Sequence, residues 1–97
     1  MQMFKKRIFG KETTIAEQGN FGYTNVGVTA CGLPATVTVY RNALYGNFYL
    51  ATILATNVEL TILAPAGYYS EFSSNVGAVI SRYWDGTAFV GGAEVCD

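Results

Sequence analysis

Residues 36–40 read Thr-Val-Thr-Val-Tyr. Strict alternation of β-branched residues suits an extended strand, because successive side chains leave a strand on opposite faces. Val37 and Val39 share one face; Thr36, Thr38 and Tyr40 share the other. Turn chemistry brackets the segment: "CGLP" (31–34) before it, and Asn42, Gly46 and Asn47 of "RNALYGN" after it. The same grammar recurs along the chain. "YTNVGVT" is rich in β-branched and aromatic residues, and "FYLATILA" is apolar on both sides, as in a strand covered twice. "NVELTIL" sets Val58, Leu60 and Ile62 opposite Asn57, Glu59 and Thr61. After the loop "SSNVG", "AVISRYW" places Ala78, Ile80, Arg82 and Trp84 on one face. Asp85-Gly86 then signals a tight hairpin, and "GGAEVCD" supplies a short edge strand. Six to seven short strands with frequent turns predict an all-β fold, a small antiparallel β-sandwich or barrel.

The first residues lack that period. "KETTIAEQ" has the makings of one helical turn, with Thr13 or Thr14 capping ahead of Glu17, or of an extended arm. "GNFG" (19–22) is expected to break what precedes it. The chain therefore divides into an N-terminal arm, 1–20, and a β domain, 21–97. Charge follows the same division. Lys5, Lys6, Arg7 and Lys11 lie in the arm; residues 12–97 hold two arginines against seven acids, a sum of −5. "MQMFKKRIFG" lacks the apolar core of a secretory signal, and no run is long enough for a membrane helix. Phe4, Lys5, Lys6, Arg7, Phe9 and Lys11 are read as an anchor onto an acidic neighbour; a solvated tail is the alternative. Nucleic acid is expected only through this arm, because the body is acidic.

The chain contains no histidine, the commonest general base and metal ligand. Its serines and cysteines thus lack the imidazole of a nucleophilic triad, and two cysteines without histidine make no Cys/His zinc site. The acids are scattered, and neither a P-loop nor a GxGxxG is present. No enzyme and no cofactor is expected. Apolar residues make up 51% of the chain and charged residues 13%, about half the usual share, which predicts an exterior covered by neighbouring copies or by a larger body. Cys31 and Cys96 stand beside apparent strand ends. They are read either as a disulfide or as reduced, packed thiols, according to the compartment in which the chain folds.

Seven tyrosines and one tryptophan carry the remaining signal. Tyr rings give contact area at low entropy cost and keep a polar tip. Tyr45, Tyr49, Tyr68, Tyr69, Tyr83 and Trp84 are predicted to form an aromatic contact surface. The octet "LAPAGYYS" (63–70) concentrates the argument. Pro65 fixes its own φ, and Gly67 suits the third position of a type II turn, so a corner is expected there, as at Asp85-Gly86. Tyr68 and Tyr69 must then face opposite sides of the next strand.

The stretch "NALYGNFYLATILATNVELTILAPAGYYS", followed by "RYWDGTAF" and Cys96, resembles short β modules of Bacteroidetes surface proteins and of the virion proteins of their bacteriophages. The resemblance spans about residues 24–96 and is most specific at "APAGYYS". It implies a structural virion protein, such as a capsid decoration, head-fibre or adaptor-like subunit. Such a subunit would assemble with itself and with a larger virion or capsid protein, without a membrane. The alternative is a secreted or surface-displayed adhesion module binding glycan or protein, with an oxidised Cys31–Cys96 pair.

Overall fold

The computed structural model describes residues 16–43 and 47–96. Six antiparallel strands form one curled sheet, a half-barrel: β1 (Glu17–Thr24), β2 (Val37–Arg41), β3 (Leu54–Ala55), β4 (Gly67–Ser73), β5 (Ala78–Trp84) and β6 (Phe89–Val95). Their spatial order is β3-β2-β1-β4-β5-β6. No α-helix occurs among the described residues; Phe48–Leu50 make a single 3-10 turn. The all-β architecture is as the alternation predicts. The anchor residues Phe4, Lys5, Lys6, Arg7, Phe9 and Lys11 lie outside the described residues, as does Tyr45.

Alternation assigns the faces of β2, β4 and β5 correctly. Val39 is buried, Val37 packs beside it, and Thr38 is exposed. Ile80, Arg82 and Trp84 share the concave face of β5, which packs on Phe21, Phe48, Leu54 and Tyr69. Phe21 meets Phe48 edge-on at 4.9 Å between ring centroids, and Trp84 meets Phe89 at 4.9 Å. Such contacts add to the area these rings bury.

Four local predictions are corrected. β1 begins at Glu17 and runs through "GNFG", so the arm does not end at residue 20. The glycines serve close approach rather than a break: a side chain at Gly19 would collide with the Glu71 carboxylate and the Phe21 ring, and one at Gly22 with Ser70 and Leu33. At its other end β1 stops at Thr24, so only the first two residues of "YTNVGVT" are strand. The Thr24 hydroxyl accepts the Val26 and Gly27 N–H groups, both at 3.2 Å, and bends the chain out of the ladder.

"FYLATILA" is no continuous strand. The Phe48 and Ala51 carbonyls accept from Arg82 Nη1 at 2.9 and 2.8 Å, and the Thr52 and Ile53 N–H groups donate to Asn42 Oδ1 at 2.8 and 3.0 Å. Side chains thus take backbone groups that a ladder would have used. "NVELTIL" closes into a loop in the same manner. Asn57 Oδ1 accepts from the N–H groups of Thr61 and Ile62, and Leu60 adopts φ 61°. Leu60 is buried, while Val58 and Ile62 are exposed.

Buried charge sits on the same concave face. Arg41 Nε donates to Glu71 Oε1 at 2.6 Å, Nη2 to Glu71 Oε2 at 2.5 Å, and Nη1 to Glu17 Oε1 at 2.7 Å. Burial pushes the Glu71 carboxyl above its ordinary pKa, against the pull of the Arg41 hydrogen bonds and charge. Losing one partner of such a group costs about 3–5 kcal/mol, because the other charge is left buried alone.

Candidate interaction surface

The octet meets three rings. Trp84 Nε1 donates to the Ala64 carbonyl at 2.9 Å, the Tyr69 hydroxyl to Pro65 at 2.7 Å, and the Tyr23 hydroxyl to Ala66 at 2.7 Å. Three successive carbonyls of the corner are therefore satisfied by aromatic tips on β1, β4 and β5. Burial raises the Tyr69 phenol well above its ordinary pKa, with the neighbouring Tyr23 adding to the shift. Gly67 is not the third residue of a type II turn. It opens β4 opposite Trp84 with φ 155°, and the Tyr23 ring and Thr24 carbonyl fill the space a Cβ would need. Tyr69 and Trp84, predicted as contact residues, are instead fully buried. Tyr49 packs partly buried against the core.

Tyr68 and Tyr83 do reach the convex face, as the alternation requires. They are directly paired across β4 and β5, with ring centroids 4.9 Å apart and planes tilted by 55°. Thr24 pairs with Tyr68 and Val90 with Tyr83, so one row crosses four strands: Thr24, Tyr68, Tyr83, Val90. Among the described residues neither hydroxyl of the Tyr68–Tyr83 pair has a hydrogen-bond partner within the chain.

The neighbouring row is Gly22, Ser70, Ser81, Glu94. Across it lies the segment 25–36, which we term the strap. Ser70 Oγ donates to the Ala30 carbonyl at 2.8 Å, and the Ala30 N–H donates to Ser81 Oγ at 3.0 Å. Thr29 Oγ1 donates to Glu94 Oε1 at 2.9 Å. A disulfide joins Cys31 of the strap to Cys96 beyond β6, with Cα atoms 5.6 Å apart. Small side chains let the strap lie close, and two hydroxyls satisfy its buried backbone groups. On the strap, Val26 and Val28 are 89% and 82% exposed.

The chain matches no protein-family model, no curated protein and no solved structure. Its chemistry is therefore read from the surface itself. The row of rings is neutral, and the rings lie on rigid paired strands. Such a surface can hold an apolar or neutral polar partner by burial and by tyrosine hydroxyl hydrogen bonds. Among the described residues, no three or more Cys, Asp and Glu side chains group as they would to hold a metal ion.

The hairpin at Asp85-Gly86 forms as predicted, through a four-residue loop between Trp84 and Phe89. Asp85 Oδ1 accepts from the Thr87 and Ala88 N–H groups, both at 2.8 Å, and these bonds lower its pKa. Gly86 takes φ 104° there. Sequence reasoning missed Val26, Val28 and Val90 as surface residues and Arg82 as the side chain holding the 3-10 turn. The Arg82 guanidinium lies 3.9 Å from the Phe89 ring centre, and burial lowers its pKa. Only its place on the Ile80–Trp84 face hinted at such a role.

Proposed function

We propose that this chain is a non-enzymatic structural subunit of a bacteriophage particle, a capsid decoration, head-fibre or adaptor-like protein present in many copies. The observation that carries the reading is the exposed apolar set Val26, Val28 and Val90, which accompanies the half-buried Tyr68–Tyr83 pair on an otherwise tightly tied β domain. Large bare apolar patches mark interfaces more often than free surface. The low charge of the chain and its resemblance to virion β modules support the same assignment. Mass spectrometry of purified particles tests it: the chain is expected in stoichiometric amount with the capsid proteins, and its absence from particles removes the proposal.

A secreted or surface-displayed adhesion module is the second reading, and the Cys31–Cys96 disulfide favours it. Structural disulfides persist mainly in oxidising compartments. Thiol counting on denatured, unreduced protein from its native source separates the two. Blocked thiols together with recovery from the envelope or medium support display; two reactive thiols remove it.

A further inference from the structure

The strap, residues 25–36, is fastened to the sheet without entering its core. Of these residues only Ala30 is buried, and among the described residues none of them joins the cluster built on Phe21, Phe48, Tyr69 and Trp84. The other long connection, 42–53, behaves differently: it sends Phe48 and Ala51 into that cluster. The strap is held instead by polar contacts. Ser70 and Ser81 bond the Ala30 backbone, and Thr29 bonds Glu94. Leu33 rests over Gly22, where an added Cβ would come within 3.0 Å of it. Such hydrogen bonds contribute modestly one by one. The covalent tie is the Cys31–Cys96 disulfide. Both cysteines are only half-buried, and Cys96 follows β6, the strand at one edge of the sheet.

We propose that Cys31–Cys96 is a redox latch: reduction frees the strap from the convex face while the β domain stays folded, and oxidation closes it again. The inference goes beyond the particle assignment and does not depend on it.

The chemistry is thiol–disulfide exchange. A thiolate of a small thiol reductant attacks one sulfur, and a second thiol resolves the mixed disulfide. Two thiols supply two electrons and two protons; Cys31 and Cys96 become free thiols, and the reductant leaves as its own disulfide. Local opening of this kind is open to segments that bury little apolar surface. It also changes what the convex face presents. Closed, the strap divides that face: Tyr68 and Tyr83 lie on one side, Phe72 and Val79 on the other, with Ser70 and Ser81 beneath. Open, these three cross-strand pairs form one continuous surface, and both serine hydroxyls are released. A chain made in a reducing compartment therefore folds with this face bare and covers it on reaching an oxidising one.

The test is amide hydrogen exchange by NMR on the full chain: oxidised, then treated with dithiothreitol without denaturant, then reoxidised. Reduction is expected to free both thiols and to speed exchange at the Ala30 N–H by about tenfold or more, ahead of the β4–β5 ladder amides. The near-ultraviolet circular dichroism of the buried Trp84 and Tyr69 is expected to stay as in the oxidised chain, and reoxidation to restore Ala30. Collapse of that signal on reduction overturns the proposal, because the bond then holds the whole domain. Unchanged Ala30 exchange with two free thiols also overturns it, since the strap stays seated without the bond. So does equal acceleration at Ala30 and in the ladder, or a disulfide that dithiothreitol reduces only after denaturation. Thr29→Val, kept oxidised, is expected to leave the strap closed. Opening there to the degree seen on reduction assigns closure to the Glu94 hydrogen bond and overturns the latch.

Discussion

Tyr68 and Tyr69 are sequence neighbours, yet they end in opposite circumstances. Tyr69 turns inward, packs 4.7 Å from Tyr23 between ring centres, and gives its hydroxyl to Pro65. Tyr68 turns outward and leans on Tyr83, and among the described residues its hydroxyl has no hydrogen-bond partner. The inner rings of Tyr23, Tyr69 and Trp84 bind three carbonyls of the octet and fix a corner; among the described residues the hydroxyls of the outer pair hold no backbone group. The lesson is that an aromatic residue is assigned by where its polar tip is used. A phenol whose tip is consumed is architecture, whereas a phenol whose tip is spare on a rigid strand is available to a partner.

The contrast is open to direct attack, beginning where the effect is largest. Trp84→Ala should cost about 3–5 kcal/mol, because it empties the core and orphans the Ala64 carbonyl. Chemical denaturation should show the midpoint falling without a matching loss at the outer pair. Replacing Cys31 and Cys96 together by serine should cost about 4 kcal/mol in the chain-entropy account of a loop closed across 65 residues of separation. Amide exchange should then open first in the strap, at Ala30, while the Tyr69 corner keeps its protection. If strap and corner open together, the two regions are one cooperative unit and the contrast fails.

Tyr69→Phe should lose about 1–2 kcal/mol through the unpaired Pro65 carbonyl. Tyr68→Phe and Tyr83→Phe should stay within about 0.5 kcal/mol of wild type. Equal losses at all three sites would erase the distinction between inner and outer rings.

Titration gives the most graded test. The native Tyr69 phenol is raised, so above the ordinary value of about 10 the unfolded chain releases a proton that the native state keeps. Stability should therefore fall as pH rises past that point, and less so in Tyr69→Phe. Glu71 is also raised, so its contribution declines as pH climbs from the ordinary carboxylate value, about 4.3, through its native one. Asp85 has the opposite sign: its stabilising share is present above the unfolded pKa and fades as pH drops through the depressed native value. Thermal melts of Glu71→Gln and Asp85→Asn across the acid range should bend in opposite directions.

Reading the chain as a string went furthest where local rules decide the outcome. The alternation of "ATVTVYR" and "AVISRYW" yielded the correct inward faces, and Asp85-Gly86 yielded its hairpin. It went astray wherever a distant side chain captured backbone groups. Arg82 holds the carbonyls of "FYLATILA", Asn42 its amides, and Asn57 closes "NVELTIL" upon itself. No period records such captures, because the competitor's position is set by the fold. Alternation set Tyr68 opposite Tyr69, and Tyr83 opposite Trp84, but all four were read as contact residues, and the sequence did not say which ring of each pair turns inward.

By itself, then, the order of residues determined an antiparallel β class, the sidedness of its clearest strands and the sites of its sharpest turns. Each follows from local sterics and a period of two. Tertiary structure alone decided which rings meet the octet's carbonyls, which row of the sheet the strap covers, and that Cys31 lies beside Cys96. Those outcomes depend on how strands distant in sequence are ordered, and burial then forces each polar tip to take a partner within reach.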